Sequence, residues 1–351
     1  MKSYVIGPDP DSRGGIASVL ANLRRAGLFE NQQIFFVRSF VSESRARKLL
    51  VAIRAFFVLL IALLGRRVRA VHVHSAFGAS FARKSLYCLL AAMFGRPVIL
   101  QMHNGAFVQR YRASPRLWQA FVRFVYRRAA CAIVLTSEQV TFLRTEFGHP
   151  RVERFPNPIV LPPEVATVPV RAVQAVYFAT LTPAKGVYDL LNAWENVVNV
   201  VPNARLVLCG RGEDAEVQRV IRERGLQGTV QLAGWVSGKA KDLLLQESMV
   251  VVLPSHSEAL PMSVLEGMAY GCVVVATDVG AIPDVVEDGA TGRLVPVGDA
   301  ARLATVLTQV FCSPADSAEI GRRARAQAES QFAADVVAKR YVDLYESLDG
   351  R

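Results

Sequence analysis

The sequence predicts an α/β protein with parallel sheets, and three features carry that reading. Short unbroken apolar runs such as Val250 to Leu253 and Val273 to Ala276 have the composition of strands buried on both faces. Helical stretches separate them, opened by Pro261 before Met262 to Tyr270 and closed by Gly271. The chain has 351 residues, 52% of them apolar, which is enough for two domains of this kind.

In chain order, Tyr4 to Ile6 is the first short strand. Gly14 and Gly15 then open a helix from Ile16 to about Ala26. Paired glycines at a strand-to-helix turn let backbone come close to a ligand, although a tight turn alone also explains them. Asp9-Pro10-Asp11 spells D-x-D, but its place before the glycines makes it a turn and not a metal motif.

Leu49 to Leu64 is the most hydrophobic stretch, 16 residues interrupted by Arg54. It is shorter than the ~20 residues a membrane span needs. The first expectation is a largely buried domain helix. The second is an interfacial helix that seats the domain on an anionic bilayer, because Arg45, Arg47 and Lys48 precede it and Arg66, Arg67 and Arg69 follow.

Val71 to Val73 is the next strand, and His72 is expected to point away from His74, leaving His74 free to face a ligand crevice. A helix follows from Phe81 to Phe94, then a strand from Val98 to Met102. His103 sits at that strand's carboxyl end, followed by Asn104 and Gly105. Leu117 to Ala129 is an aromatic, Arg-rich amphipathic helix whose rings are assigned to the core. Cys131 to Leu135 is a strand, and Thr136-Ser137 caps the helix after it. Leu161 to Val170 carries three prolines and marks the domain boundary, with domains at 1–165 and 166–333.

The second half repeats the alternation. Val173 to Phe178 is a strand; Lys185-Gly186 precedes a helix from Val187 to Val200; Arg205 to Cys209 is a strand ending in Gly210-Arg211-Gly212. Val230 to Leu232 is a strand before Gly234-Trp235-Val236. After Asp299 a helix runs to Phe311, and terminal helices cover Ala315 to Ser330 and Ala334 to Leu348. The five cysteines form no C-x-x-C pair and are expected to be buried free thiols of a reducing compartment. The amino-terminal MKSYVIGPDP is already strand and turn and has no signal-peptide pattern.

Charge divides the chain. Residues 1–165 hold 24 Lys and Arg against 8 Asp and Glu, a balance of +16, whereas the remainder holds 17 against 22, a balance of −5. The basic half calls for an anionic partner. Nucleic acid is set aside, because no recognition motif accompanies the charge and the basic residues are mixed with long apolar stretches.

The most specific chemistry lies between the two apolar runs first named. Glu258 is in the loop at the carboxyl end of a strand, and Glu266 is a turn inside the following helix, with seven residues between them. Ligands of open α/β sheets sit in that crevice. The helix N-terminus at Leu260, Pro261, Met262 and Ser263 suits a phosphate. A carboxylate one turn further in suits a diol such as ribose.

Ser255 to Pro261, Leu265 to Gly271, Val273 to Thr277, Gly280 to Val286 and Asp288 to Pro296 together resemble the E-x7-E signature of the retaining GT-B glycosyltransferases, family GT4, the glycosyl transferases group 1. The resemblance implies two Rossmann-like domains facing across a cleft, the first holding the acceptor and the second the nucleotide sugar. It implies that the helix from about 334 to 351 packs back on the first domain.

By the same resemblance His103 is the active-site histidine. Gly14 and Gly15 are the glycine loop, with His74 and Asn104 on the acceptor side. Lys185 pairs with the diphosphate, and Gly210 and Arg211 lie near the nucleotide. Trp235 and Val236 flank its base, Glu258 orients the donor sugar and Glu266 holds the ribose. The family's usual Arg five residues before Lys185 is replaced by Thr180, so Arg211 or another base must supply that charge.

No metal or cofactor is expected beyond the nucleoside-diphosphate sugar as co-substrate. The expected enzyme is a retaining hexosyltransferase, cytoplasmic and peripheral on the inner leaflet, acting on a lipid-linked or other anionic acceptor in surface-polysaccharide or glycolipid assembly. Two rivals remain open: a nucleotide-sugar 2-epimerase on the same fold, and a non-catalytic sugar-nucleotide or membrane-binding module.

Overall fold

The computed structural model describes residues 1–12, 14–162 and 171–348. The chain divides into two compact units, Met1–Val160 with Phe332–Arg351, and Leu161–Gln331. The boundary expected between 165 and 166 lies outside the described residues.

The first unit runs β1 (Lys2–Pro8), α1 (Gly15–Arg25), β2 (Ile34–Phe40), α2 (Arg45–Leu64), β3 (Val68–Ser75), α3 (Ala79–Met93), β4 (Val98–Met102), α4 (Phe107–Arg112), α5 (Arg116–Arg127), β5 (Cys131–Val134), α6 (Ser137–Thr145) and β6 (Val152–Arg154). Its six strands are parallel, in the order β2-β1-β3-β4-β5-β6. The order reverses at β1, so the loops after β1 and β3 open the crevice where such sheets take ligands.

The second unit runs β7 (Ala172–Phe178), α7 (Val187–Val200), β8 (Arg205–Cys209), α8 (Asp214–Glu223), β9 (Val230–Gly234), α9 (Lys239–Glu247), β10 (Ser248–Leu253), α10 (Met262–Ala269), β11 (Val273–Thr277), β12 (Arg293–Val295), α11 (Ala300–Cys312) and α12 (Pro314–Gln331). Its parallel sheet has the order β12-β11-β10-β7-β8-β9, with its reversal between β7 and β10. The last helix, α13 (Ala334–Glu346), belongs to the first unit.

Strands β10 and β11 are buried along their whole length, as their unbroken apolar runs require. In the first unit the core is aromatic: Phe81, Phe107, Tyr111, Tyr126, Phe142 and Phe147 pack edge-on or stacked at 5.1–6.2 Å. The rings Phe121 and Trp118 of α5 pack against it, as the sequence suggested, but Phe124, assigned to the core with them, is 43% exposed and lies under Arg128. Thr136 caps α6, its hydroxyl accepting from the Gln139 N–H at 3.1 Å.

Three expectations are corrected. Helix α2 is longer than its apolar stretch, because Ser44 caps it and the basic turn Arg45–Lys48 is helical. It is also not largely buried. Only Ala55, Leu59, Ala62 and Leu63 are buried, while Leu49, Leu50, Ile53, Phe57, Ile61 and Leu64 are each 45–68% exposed. A single helix laid on a sheet can bury one stripe only, and here the opposite stripe is apolar too.

His72 does not point away from His74. Residues two apart on a strand share a face, and the two rings lie 4.2 Å apart. Of the cysteines, four are buried free thiols, but Cys312 at the end of α11 is exposed.

Candidate functional site

In the second unit the reversal of strand order brings two loops together. The chain leaves β7 at Phe178 and turns through Pro183–Lys185 into α7, while β10 ends at Leu253 and leads through Ser255 and Glu258 into α10. Lys185 Nζ meets Glu258 Oε1 at 2.6 Å, and Ser255 Oγ donates to the same oxygen at 2.8 Å. The Glu258 side chain is only 11% exposed.

Two glycines make this approach possible. Gly186, at φ 70°, packs so closely on Pro254 that a Cβ would lie 1.9 Å from its carbonyl oxygen. Gly280, at φ 62°, would meet the Glu258 carbonyl at 2.2 Å. Any side chain at either position would push Lys185 and Glu258 apart.

Glu266, one turn inside α10, is half-buried and pairs with Lys241 of α9, whose ammonium also lies over the Phe178 ring at 5.0 Å. Pro261 precedes α10, and no side chain caps the helix. Its first-turn N–H groups and dipole therefore favour an anion beside Met262, between the two carboxylates.

Thr180 is exposed. Leu181, next to it, bridges to Gly212, its N–H donating to the Arg211 carbonyl at 3.1 Å. The turn after β8 thus brings Arg211 beside the position where the charge is missing. Arg211 is exposed and has no ion pair or side-chain hydrogen bond among the described residues. Gly210 is buried, Trp235 is 59% exposed, and Val236 packs on the sheet.

In the first unit, His74 and His103 come together: His74 Nδ1 and His103 Nε2 share a hydrogen bond at 2.9 Å, with the rings stacked at 5.1 Å. The strands arrange this, since His74 lies opposite Gln101 in the β3–β4 register and the His103 N–H donates to the Ser75 carbonyl at 2.9 Å. Burial drives the His103 pKa down to about 3 and that of His72 to about 3. His74 lies well below the usual range, from burial first and then from the neighbouring His72, His103 and Lys84 charges. All three imidazoles are neutral at pH 7.

Asn104 follows, its carbonyl accepting from Gln139 at 2.7 Å and its buried Oδ1 without a partner. Gly14 and Gly15 line a separate cavity of about 310 Å³ with Pro8, Ser12, Arg83 and Lys84. The D-x-D carboxylates form the expected turn, with Asp9 paired to Arg38 and Asp11 to Arg24, each at 2.6 Å. No cluster of three or more His, Cys, Asp or Glu side chains able to hold a metal occurs among the described residues.

Sequence reasoning missed several members. Lys84 is buried on α3, where it donates to the His74 carbonyl and burial lowers its pKa to about 7. Lys241 holds Glu266 from a helix the sequence reading did not assign. Ser255 stood within the quoted motif without a role. His72, bonded to Tyr345 of α13 at 2.7 Å and to Gln101 at 3.0 Å, completes a buried polar network that also includes Tyr341. The sequence offered no signal for Lys84, because Arg83 and Ser85 flank it and make the stretch read as a polar face.

Comparison with known proteins adds to this geometry. Residues 165–327 match the family model for glycosyl transferases group 1, and residues 12–158 match that for the glycosyl transferase 4-like domain. A relative from Xanthomonas oryzae, GDP-mannose:cellobiosyl-diphosphopolyprenol alpha-mannosyltransferase, is 26% identical over 81% of this chain and 76% of its own. Alpha-maltose-1-phosphate synthase of Mycobacterium tuberculosis is 32% identical over 50% of this chain and 48% of its own. N-acetyl-alpha-D-glucosaminyl L-malate synthase of Bacillus anthracis is 29% identical over 48% and 44%. The chain thus spans about half the length of the last two relatives.

Among solved structures, sucrose-phosphate synthase from Thermosynechococcus elongatus superposes with a TM-score of 0.76 at 19% identity, over 99% of this chain and 98% of its own. Anabaena HepE in complex with UDP gives 0.75 at 17%, over 99% and 100%. What these share with the present chain is the fold, GT-B.

Proposed function

The chain belongs to the group 1 glycosyltransferases with a 4-like amino-terminal domain, and on that premise we propose that it moves a hexose, with retention, from a nucleoside-diphosphate sugar to an acceptor hydroxyl. The observation that carries this reading is the Lys185–Glu258 pair at the strand-order reversal, beside the uncapped N-terminus of α10.

In the reaction the bond from the sugar's anomeric carbon to the diphosphate breaks, and its electron pair leaves with the phosphate oxygen. The acceptor oxygen bonds to that carbon on the same face, and its proton passes to the departing phosphate. Negative charge grows on the diphosphate, so the protein's contribution is chiefly electrostatic. Without donor, Lys185 is held by Glu258. When the diphosphate arrives, the ammonium gains a second anion, and Glu258 is left to accept from the sugar hydroxyls.

Arg211 takes the place of the absent Arg at Thr180. Glu266 accepts from the ribose diol, and Lys241 fixes its orientation. The neutral His74–His103 pair, with Asn104 and the glycine-loop cavity, serves the acceptor. No metal is required, since Lys185, Arg211 and backbone N–H groups meet the phosphate charge.

The acceptor is proposed to be lipid-linked and the enzyme to dock on an anionic cytoplasmic leaflet. The support is α2, whose exposed apolar row ends in basic clusters. The Xanthomonas oryzae relative, named for a cellobiosyl-diphosphopolyprenol, is consistent with it. Among the described residues no helix is long and apolar enough to cross a membrane.

Thermal unfolding with UDP- and GDP-sugars tests the donor assignment, because a ligand stabilises the fold that binds it. One class of donor should raise the transition temperature, and Glu266→Ala should shrink the rise at the same donor concentration. Absence of any shift with every nucleotide sugar would overturn the reading. Turnover that needs no acceptor would point to epimerisation.

A further inference from the structure

The first unit carries a second concave surface, away from the glycine loop and from the histidines. It is a cleft of about 670 Å³ along α5, lined by Tyr111 and Gln119 and by Arg116, Arg123, Arg127 and Arg128. Arg116, Arg123 and Arg127 are spaced seven and four apart, which sets them on one face of the helix. Arg128 follows at its C-cap.

No carboxylate lines the cleft. None of the four guanidinium groups forms a salt bridge among the described residues, whereas Arg112 nearby is engaged by Glu146 at 3.5 Å. Aromatic rings hold two of them in place: Arg123 lies 5.5 Å from the Phe147 ring centre and Arg128 lies 4.3 Å from that of Phe124. Arg127 Nε donates to the Phe147 carbonyl at 3.4 Å. Arg123 Nε is buried and has no partner.

Four like charges around one concavity raise a strong positive potential, and a buried guanidinium N–H without an acceptor carries a desolvation cost. An oxyanion in the cleft relieves both. Guanidinium forks match phosphate oxygens two at a time, and a diphosphate carries enough charge and oxygens for several forks.

We propose that this arginine cleft binds a phosphate-bearing anion, either a free diphosphate or the phosphodiester of a lipid headgroup. Nothing in the proposal depends on glycosyl transfer, and no residue of it takes part in the donor or acceptor site described above.

The test is calorimetric titration of inorganic pyrophosphate into the full chain carrying Lys185→Ala, so that the donor phosphate site is weakened. Adding Arg116→Gln with Arg123→Gln should weaken binding about tenfold or more, and the Arg→Lys pair, keeping charge but losing the fork, should fall between. Because Arg123 is partly buried, Arg116→Gln with Arg127→Gln, both exposed, is the second variant; it should weaken binding too.

In parallel, each protein, carrying also Arg45→Ser, Arg47→Ser and Lys48→Ser so that α2 contributes little, is sedimented with vesicles of phosphatidylcholine alone and of equal parts phosphatidylcholine and phosphatidylglycerol. Loss of pyrophosphate binding with vesicle binding kept assigns a soluble anion. Loss of binding to the anionic vesicles assigns the headgroup. Unchanged binding of both by both Gln variants overturns the proposal.

Discussion

The two units handle polar groups in opposite ways. The site of the second is made of charges in pairs: Lys185 with Glu258 and Lys241 with Glu266, each pair partly open to solvent. The site of the first is made of buried neutral imidazoles, His72, His74 and His103, joined to tyrosines and Gln101. Paired ions can exchange partners when a charged ligand arrives, so they suit a diphosphate. Buried imidazoles offer directional hydrogen bonds with no net charge, so they suit hydroxyls. The unit rich in arginine thus has neutral imidazoles at its centre beside one buried amine, Lys84, while α2 and α5 carry part of its remaining positive charge.

The largest expected effect tests the charged side of this contrast. Glu258→Ala should lower kcat by about 10²-fold or more, with the fold kept, because the loop carboxylate proposed to orient the donor is lost and the core is untouched. Equal kcat in steady-state assays would remove Glu258 from the chemistry.

Next comes the basic, apolar surface of the first unit. Each basic residue near an anionic leaflet contributes about 1 kcal/mol, and salt screens it. Replacing Arg45, Arg47 and Lys48 by Ser should lower binding to anionic liposomes by tenfold or more on the order of that figure. Arg47 should count least, since Glu43 already pairs with it at 2.9 Å. Co-sedimentation at low and high ionic strength checks this; equal binding to neutral and anionic vesicles would break it.

The neutral centre predicts a pH dependence of its own. His72 and His103 titrate near 3 in the folded chain and near 6.5 when unfolded, so between those values the unfolded state binds more protons. Stability from this source is whole above about pH 6.5 and is lost as pH falls towards 3, at up to about 1.4 kcal/mol per pH unit for each ring. Urea midpoints followed from pH 7 to 5 should show the decline, and His103→Asn should make it shallower. A slope unaltered by that change would mean the ring is solvated.

A smaller effect sharpens the pairing. Glu266→Ala should raise the donor KM about tenfold through lost hydrogen bonds, while Lys241→Ala, which loosens the carboxylate without removing it, should raise it less. The smallest is expected from metal removal: rates with and without EDTA should agree. Full loss restored by magnesium or manganese would show that the ammonium and guanidinium groups do not suffice.

Much of this architecture was legible because α/β units leave strong local marks. Val98–Met102, Val187–Val200 and Arg205–Cys209 have the same bounds in sequence and structure, each being a mostly apolar run or a periodic helix between turn residues. Strand β2 was missed although IFFV is an unbroken apolar run: at the sheet edge IFFVRSF is only partly buried, and Arg38 and Ser39 interrupt its second half. Helices α8 and α9 were missed because they are mostly polar, with Val217 and Ile221 alone buried in one and Leu245 in the other.

At the site, the carboxylates were found through the motif that spaces them. Lys185 was found too, but not its pairing with Glu258 73 residues away, and Lys241, 25 residues from Glu266, was not found at all. Only the fold brings such pairs together. The misplacement of His72 has a different cause: the period of two was applied as though it separated residues two apart.

One detail of the backbone bears on how such a protein can be altered. Outgoing Ile159 and returning Ala333 form a parallel bridge inside the first unit, with the Ile159 N–H donating to the Phe332 carbonyl and the Ala334 N–H to that of Ile159, both at 2.8 Å. The second unit is therefore a cassette whose two ends leave from a single clasp. A segment spanning 161–331 can be cut out and exchanged for that of a relative with both splice points beside one another and the first unit's sheet unbroken. Recombination at those two points would give chimaeras that, under the proposed division of roles, keep one acceptor specificity and take on another donor. Two changes, Ile159→Pro and Ala334→Pro, mark where such an exchange would fail, since each removes one of the clasp's N–H donors.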